Sequence, residues 1–271
     1  MSGRLAIMTN QNVKVNSERF DDFRNKVFIV TGASSGIGKA TALLAIDRGA
    51  KVSFVARREK ELRLICSKLD RAEVIAADVT CEEDRRRIVS QTTAKFGGID
   101  VLVNAAGIIA NGTIENTSPE QWDTMMDVNL RSVYRLTQIS LPSIIERKGN
   151  IVNVSSVTGV RAFPNVLAYC VSKAGVDQLT RCAALELGAK GIRVNAVDPG
   201  VVVTNLHRTS GMSEEMYQKF LEHSKSTHPL GRVGTVEDVA ELVLFLASER
   251  AGWITGASIS IDGGRALTCA R

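Results

Sequence analysis

From about residue 26 to residue 264, short runs of β-branched and aliphatic residues alternate with longer stretches of helical period, and few architectures satisfy that alternation. Val27–Val30, Val52–Val55, Val74–Ala77, Val101–Val103, Ile151–Val154, Arg193–Val197 and Ser258–Ile261 read as seven strands. Each is short and near-continuously apolar, as strands are when both faces of a parallel sheet are covered. The clearest helical stripe is Val236, Val239, Ala240, Val243, Leu244 and Ala247, at i, i+3, i+4, i+7, i+8 and i+11. Thr235 with Asp238 three residues later forms a capping box that starts it. The repeated strand–helix order predicts an α/β fold: one doubly wound domain with a seven-stranded parallel sheet, helices on both faces and right-handed crossovers.

With 271 residues, 44% hydrophobic content and no linker, repeat or low-complexity tract, the chain reads as one domain over 26–264. Residues 1–25 read as a polar N-terminal tail and 265–271 as a C-terminal tail. The strand-free interval 201–234 carries Met212, Met216, Tyr217, Phe220 and Leu221 at helical spacing. It reads either as a substrate lid or as a helix packed on the body or on a partner subunit. No run of about 18 apolar residues suggests a membrane span. Leu5–Met8 is too short for a secretory segment, and Glu18, Asp21 and Asp22 argue against a transit peptide. The net charge of +5 is dispersed, and Arg85-Arg86-Arg87 follows Glu82, Glu83 and Asp84, which suggests a charge-paired helix face and no nucleic-acid partner. Cysteines 66, 81, 170, 182 and 269 form no C-x-x-C pair and lie apart from His207, His223 and His228. No metal site is expected, and reduced thiols point to a cytoplasmic protein.

Thr31-Gly32-Ala33-Ser34-Ser35-Gly36-Ile37-Gly38 directly follows the first strand and opens a helix. Glycines there allow a tight turn and let backbone N–H groups approach a pyrophosphate at the helix N-terminus. The same residues satisfy G-x-S-x-G, the pattern of a hydrolase nucleophile elbow with Ser34 as nucleophile, but no earlier strand exists to supply an oxyanion loop. The second strand ends Ala56-Arg57-Arg58. With no acid to bind a ribose 2′-hydroxyl and two guanidiniums able to bind a 2′-phosphate, NADP is favoured over NAD. The competing reading makes both arginines surface residues at a helix start, one of them paired with Glu59.

Tyr169-Cys-Val-Ser-Lys173 places a phenol and an amine on one helix face, suggesting an acid/base pair, with Ser156 thirteen residues upstream. These motifs, in order with Asp78, Asn104-Ala105-Ala106-Gly107, Asn129 and Pro199-Gly200, resemble the short-chain dehydrogenase/reductase family over about residues 25–264. Pro229-Leu230-Gly231-Arg232 and Ile261-Asp262-Gly263-Gly264 are most similar to its 3-oxoacyl-carrier-protein reductase type. The resemblance implies a Rossmann-fold oxidoreductase. It makes Tyr169 the proton donor to a ketone or the base in alcohol oxidation. Lys173 would lower the tyrosine pKa and bind the nicotinamide ribose, Ser156 would donate to the carbonyl oxygen, and Asn129 would hold a water leading from Lys173 to solvent. The implied cofactor contacts are Gly32, Ser34, Ser35, Gly36, Ile37, Gly38, Arg57, Arg58, Asp78, Val79, Asn104, Ala105, Gly107, Tyr169, Lys173, Pro199, Gly200, Val202 and Thr204. Ser35 departs from the pattern, since some NADP-preferring relatives carry a basic residue there.

Ile108, Ile109, Val157, Phe163, Pro164, Val166, Leu167 and Val201 flank these motifs, with Arg161 the nearest cation, so an apolar or amphipathic carbonyl substrate is expected. A non-catalytic NADP-binding sensor is the main alternative, and the complete Ser156, Tyr169, Lys173 and Asn129 set counts against it. The resemblance further implies a homotetramer built on helices around 120–147 and 168–188.

Overall fold

The computed structural model describes residues 22–268. Seven parallel strands form one sheet: β1 (Val27–Thr31), β2 (Lys51–Ala56), β3 (Ala72–Ala76), β4 (Val101–Asn104), β5 (Asn150–Val154), β6 (Arg193–Pro199) and β7 (Ser258–Ile261). Their order is β3-β2-β1-β4-β5-β6-β7, with Val30 beside Phe54 on one side and Val103 on the other. The order reverses between β1 and β4, which opens a crevice at the carboxyl ends of these strands, where ligands bind such sheets.

Alternation along the strands assigns their side chains to two cores. Phe28, Val30, Val103 and Val152 pack with Ala42, Val239, Val243 and Leu246 from α1 (Gly36–Asp47) and α10 (Val236–Ala247). Ile29, Leu102 and Ile151 pack on the opposite face with Ile88, Leu136, Ile144 and Ala184. Those four come from α3 (Glu82–Phe96), α5 (Ser132–Arg147) and α7 (Leu167–Leu187). The strand after α2 (Glu59–Cys66) is the sheet edge. The arginine triplet is charge-paired: Arg85 and Arg86 meet Glu82, and Arg87 meets Asp84.

Four helices frame the crevice. α4 (Pro119–Met126) starts at a Ser118/Gln121 capping box and runs through a π-helical turn, Asp127–Arg131, into α5. α6 (Val157–Val160) is a single turn capped by the Ser156 hydroxyl. The interval 201–234 forms α8 (Leu206–Thr209) and α9 (Glu214–Thr227), and a bridge from Val202 to Gly234 closes its base.

The described residues reach past both expected tail boundaries toward the termini. Residues 1–21 and 269–271, with Cys269, lie outside the described residues, but Asp22–Asn25 form a turn that belongs to the body. There Phe23 is 2% exposed and meets Phe28 edge-on, ring centres 4.9 Å apart. A single aromatic among polar neighbours has no period to reveal it. At the other end Arg265–Leu267 form a 3-10 turn, and the Arg161 guanidinium caps the carbonyls of Arg265, Ala266 and Thr268.

Candidate active site

The glycine loop is shaped by crowding. Gly32 has φ +69°, and a Cβ there would sit 2.8 Å from the Ala105 carbonyl oxygen, while one on Gly38 would sit 2.7 Å from the Gly32 oxygen. Thr31 fastens the loop to the end of β4, its hydroxyl accepting from the N–H groups of Ala105 (2.9 Å) and Ala106 (3.0 Å). Ser35, the N-cap of α1, is extended and makes no side-chain cap, and the first turn holds no acid. The leading N–H groups and the positive end of the helix are therefore available to an anion. Arg58 donates to the Ser34 hydroxyl at 3.0 Å, which brings a guanidinium to the rim of the loop, and Arg57 is exposed beside it. Glu59 pairs with Arg63 rather than with either of them. These residues fit the phosphates of a dinucleotide. The Ser34 partner is a guanidinium, whereas His207 packs on Phe220 and His228 bonds Ser224 and Val201, so the elbow reading finds no imidazole at Ser34.

The remaining expected cofactor positions ring the same crevice unevenly. Asp78 accepts from both the N–H and the hydroxyl of Thr80, and the Val79 carbonyl accepts from Arg85. Asn104 lies deeper, donating to Asn153 at 2.9 Å, which in turn donates to Thr180. Gly107 approaches two of the expected catalytic side chains: a Cβ there would come within 3.3 Å of Asn129 Oδ1 and 3.6 Å of Lys173 Nζ. After Pro199, Gly200 fits between Asp262 and His228, and Val202 is buried. The Thr204 methyl reaches 3.4 Å from where a Gly36 Cβ would stand, so the loop after β6 meets the glycine loop.

The expected catalytic residues converge. Tyr169 and Lys173, on α7, are 7% and 5% exposed, with Nζ 5.7 Å from the phenol ring centre. The Ser156 hydroxyl oxygen accepts from the Thr158 N–H at 3.1 Å, and the Ser156 side chain stands near enough to the Tyr169 phenol to favour its ionised form. Ser155 instead donates its hydroxyl to the Lys173 carbonyl oxygen at 3.1 Å. Lys173 donates to the Val154 carbonyl at 2.8 Å. Asn129, fully buried in the π-helical turn, accepts from the Ile108 N–H and donates to the Ile108 carbonyl and the Ser172 hydroxyl. The widened turn is what rotates this amide out of the helical ladder toward the strand end.

One expectation is reversed. Burial pushes the Tyr169 phenol up to about 12, opposed by the nearby Ser156 side chain, and pushes the Lys173 ammonium down to about 8, opposed by Asp177 and Asp198. Desolvation outweighs any lowering of the tyrosine by the lysine, because both charged forms lose water together.

Beside Tyr169 stands an apolar wall of Met125 and Ala168 with Ile108, Ile109, Trp122 and Val166 packed against them. Trp122 and Met125 were not legible as site residues. They share one face of α4 at i, i+3, and only the path of that helix across the end of β4 brings the face to the site. Tyr217 does not face the crevice as a lid residue would. It is fully buried and its hydroxyl donates to the Thr204 carbonyl at 2.9 Å, whereas Met216, one position around the helix, is exposed. Among the described residues no cluster of His, Cys, Asp and Glu could hold a metal.

The family profile described as enoyl-(acyl carrier protein) reductase matches residues 32–266. The chain is 40% identical over 244 residues to a 3-oxoacyl-(acyl-carrier-protein) reductase of Thermotoga maritima, covering 88% of this chain and 97% of that one. Among solved structures, a short-chain dehydrogenase/reductase of Caenorhabditis elegans with cofactor superposes with a TM-score of 0.87 at 37% identity, covering 92% of this chain and 98% of that one. A ligand-free aldohexose dehydrogenase of Thermoplasma acidophilum gives 0.85 at 35% identity, covering 93% and 98%. With the glycine loop, the Ser156–Tyr169–Lys173 cluster and the strand order all in place, this chain belongs to the short-chain dehydrogenase/reductase family of oxidoreductases.

Proposed function

We propose that the protein is an NADP(H)-dependent carbonyl reductase acting on apolar or amphipathic ketones, 3-oxoacyl compounds among them. The observation that carries this reading is the buried phenol of Tyr169 with the buried ammonium of Lys173 5.7 Å from its ring centre on the same helix. The dinucleotide would supply the hydride, held by the glycine loop and the open N-terminus of α1, with the ribose within reach of Lys173. Ser156 donates to the substrate carbonyl oxygen and holds it beside the phenol. Tyr169 gives its proton to that oxygen as negative charge develops there, and the ammonium of Lys173 stabilises the phenolate left behind. A phenol held near 12 keeps its proton at neutral pH, which suits donation and so supports reduction over alcohol oxidation.

Arg58 at the glycine loop and exposed Arg57 support the 2′-phosphate, and no carboxylate at the end of β2 offers itself to a 2′-hydroxyl. The Met125 and Trp122 wall supports an apolar substrate. The four described cysteines are all free, which supports a reducing, cytoplasmic setting. Exposed Tyr134, Val171 and Leu185 on α5 and α7 support assembly as a homotetramer through these helices.

A panel of ketones, 3-oxoacyl thioesters, polyols and aldohexoses, assayed with NADPH and with NADH, tests the assignment. We expect apolar ketones or thioesters with NADPH to turn over best. Arg57→Ala should weaken NADPH by about ten-fold or more while sparing NADH, the size of one lost charged hydrogen bond. Preferred turnover of polyols, or equal loss of both cofactors, would overturn the substrate and phosphate readings respectively.

A further inference from the structure

The chain leaving β6 toward the glycine loop, residues 200–204, is held by two side chains of the α9 segment that the reaction above does not use. The Gly200 N–H still pairs with Ile261 of β7 at 3.2 Å, and the Val203 N–H with Gly234 at 3.1 Å. The Val201 N–H instead donates to His228 Nε2 at 3.2 Å, and His228 is the residue that ends α9. Three residues on, the Tyr217 hydroxyl accepts from the Thr204 N–H at 3.2 Å and donates to the Thr204 carbonyl at 2.9 Å. Both rings are buried, His228 at 3% exposure and Tyr217 at 0%. His228 is wedged as well as bonded: a Cβ on Gly200 would fall 2.9 Å from Nε2, and one on Gly263 would fall 3.4 Å from Cδ2.

These contacts leave His228 one form. Nε2 faces an N–H, so it accepts and carries no proton. Nδ1 lies 2.6 Å from the Ser224 carbonyl oxygen, which can only accept, so Nδ1 carries the proton. A second proton would set N–H against N–H and release the Val201 amide. Burial is the largest influence on the ring and holds it below the ordinary imidazole range; the Ser224 carbonyl and Asp262 favour the cation, and Arg265 opposes it. The other charged side chains of the packed elements are paired, Arg232 with Asp238 and Lys225 with Glu222, and residues 200–206 carry none.

We propose that neutral His228 and Tyr217 are positioning residues that pin the loop after β6 from α9, setting Thr204 against the glycine loop where the cofactor is expected. The inference rests on the NADP(H) reading above for its consequence in binding; the form of the imidazole does not depend on it. α9 is then an anchor for the cofactor site, and the anchor loosens when His228 takes up a proton.

Protein labelled with 15N-histidine contains three histidines, and the His228 signals are identified by their loss in His228→Gln. We expect Nδ1 protonated and Nε2 bare at neutral pH, with the second proton taken up only below the usual imidazole value of about 6.5. An Nε2–H ring, or an imidazolium at neutral pH, would overturn the clamp. The protection of the Val201 amide against hydrogen exchange, corrected for the intrinsic rate, should fall as that proton is added, and constant protection would overturn it equally. Calorimetric titration with NADP+ reads the consequence. His228→Leu and Tyr217→Phe should each weaken binding by about two- to ten-fold, the size of a lost neutral hydrogen bond. His228→Gln offers a carbonyl oxygen in place of Nε2 and should restore most of the affinity, and wild type should lose affinity relative to it as the pH falls below about 6.5. Identical pH profiles for wild type and His228→Gln, or unaltered affinity in folded His228→Leu, would overturn the positioning role. If wild type binds no NADP+, the function proposed above fails, while the imidazole form and the Val201 amide still decide the clamp.

Discussion

At the scale of single residues, burial has opposite effects on the two members of the Tyr169–Lys173 pair. Each loses water on being charged, so the phenol holds its proton to about pH 12 and the ammonium releases its own at about 8. The phenol is therefore protonated across the whole neutral range, and the lysine is the group that titrates within it. In the proposed mechanism the protonated lysine is the active form, and it predominates below about 8. Initial rates of ketone reduction at saturating NADPH should accordingly be level below that pH and fall as it rises through about 8. A profile level to about pH 10 would contradict this account of the lysine. The Tyr169 and Lys173 spacing was legible from the chain, because i, i+4 neighbours need no tertiary information to meet, whereas Ser156 was picked out by the family resemblance alone. The influence of buried Asp198 on Lys173 was not legible, since nothing in a strand end announces a lysine on the preceding helix.

At the scale of elements, local signals survived wherever backbone chemistry alone decided them. The capping box read at Thr235 is present: its hydroxyl accepts from the Asp238 N–H at 3.2 Å, and the Asp238 carboxylate accepts from the Thr235 N–H at 2.8 Å. That box starts α10, which packs on α1 behind the glycine loop. Thr235→Ala should cost about 1 kcal/mol and lower the melting temperature by roughly 2–4 °C in calorimetry, with cofactor affinity unchanged. The interval after β6 was legible only in part. Its apolar residues predicted a helix, but which face turned inward depended on the bridge from Val202 to Gly234 and on Tyr217 anchoring the Thr204 backbone. The π-helical turn at Asn129 carries no sequence signal of its own, because one extra residue in a turn leaves composition unchanged.

At the scale of the molecule, the alternation of strands and helices dictated the topology closely, since parallel strands joined by right-handed crossovers leave few orders available. The order in turn puts the glycine loop, the end of β4 and the loop after β6 around one crevice, and α7 lays the phenol along its floor. Leu185 on α7 and Trp253 before β7 are both exposed. Light scattering should give a mass about four times the 29.3 kDa of the chain, and a monomer mass would reject the tetramer. The central claim is that Tyr169 delivers the proton in a nicotinamide-dependent reduction. It is tested most directly by comparing Tyr169→Phe with wild type in NADPH oxidation by a ketone and in NADPH binding. We predict turnover lower by about two to four orders of magnitude with the dissociation constant for NADPH unchanged, and retained turnover with intact binding would contradict the mechanism.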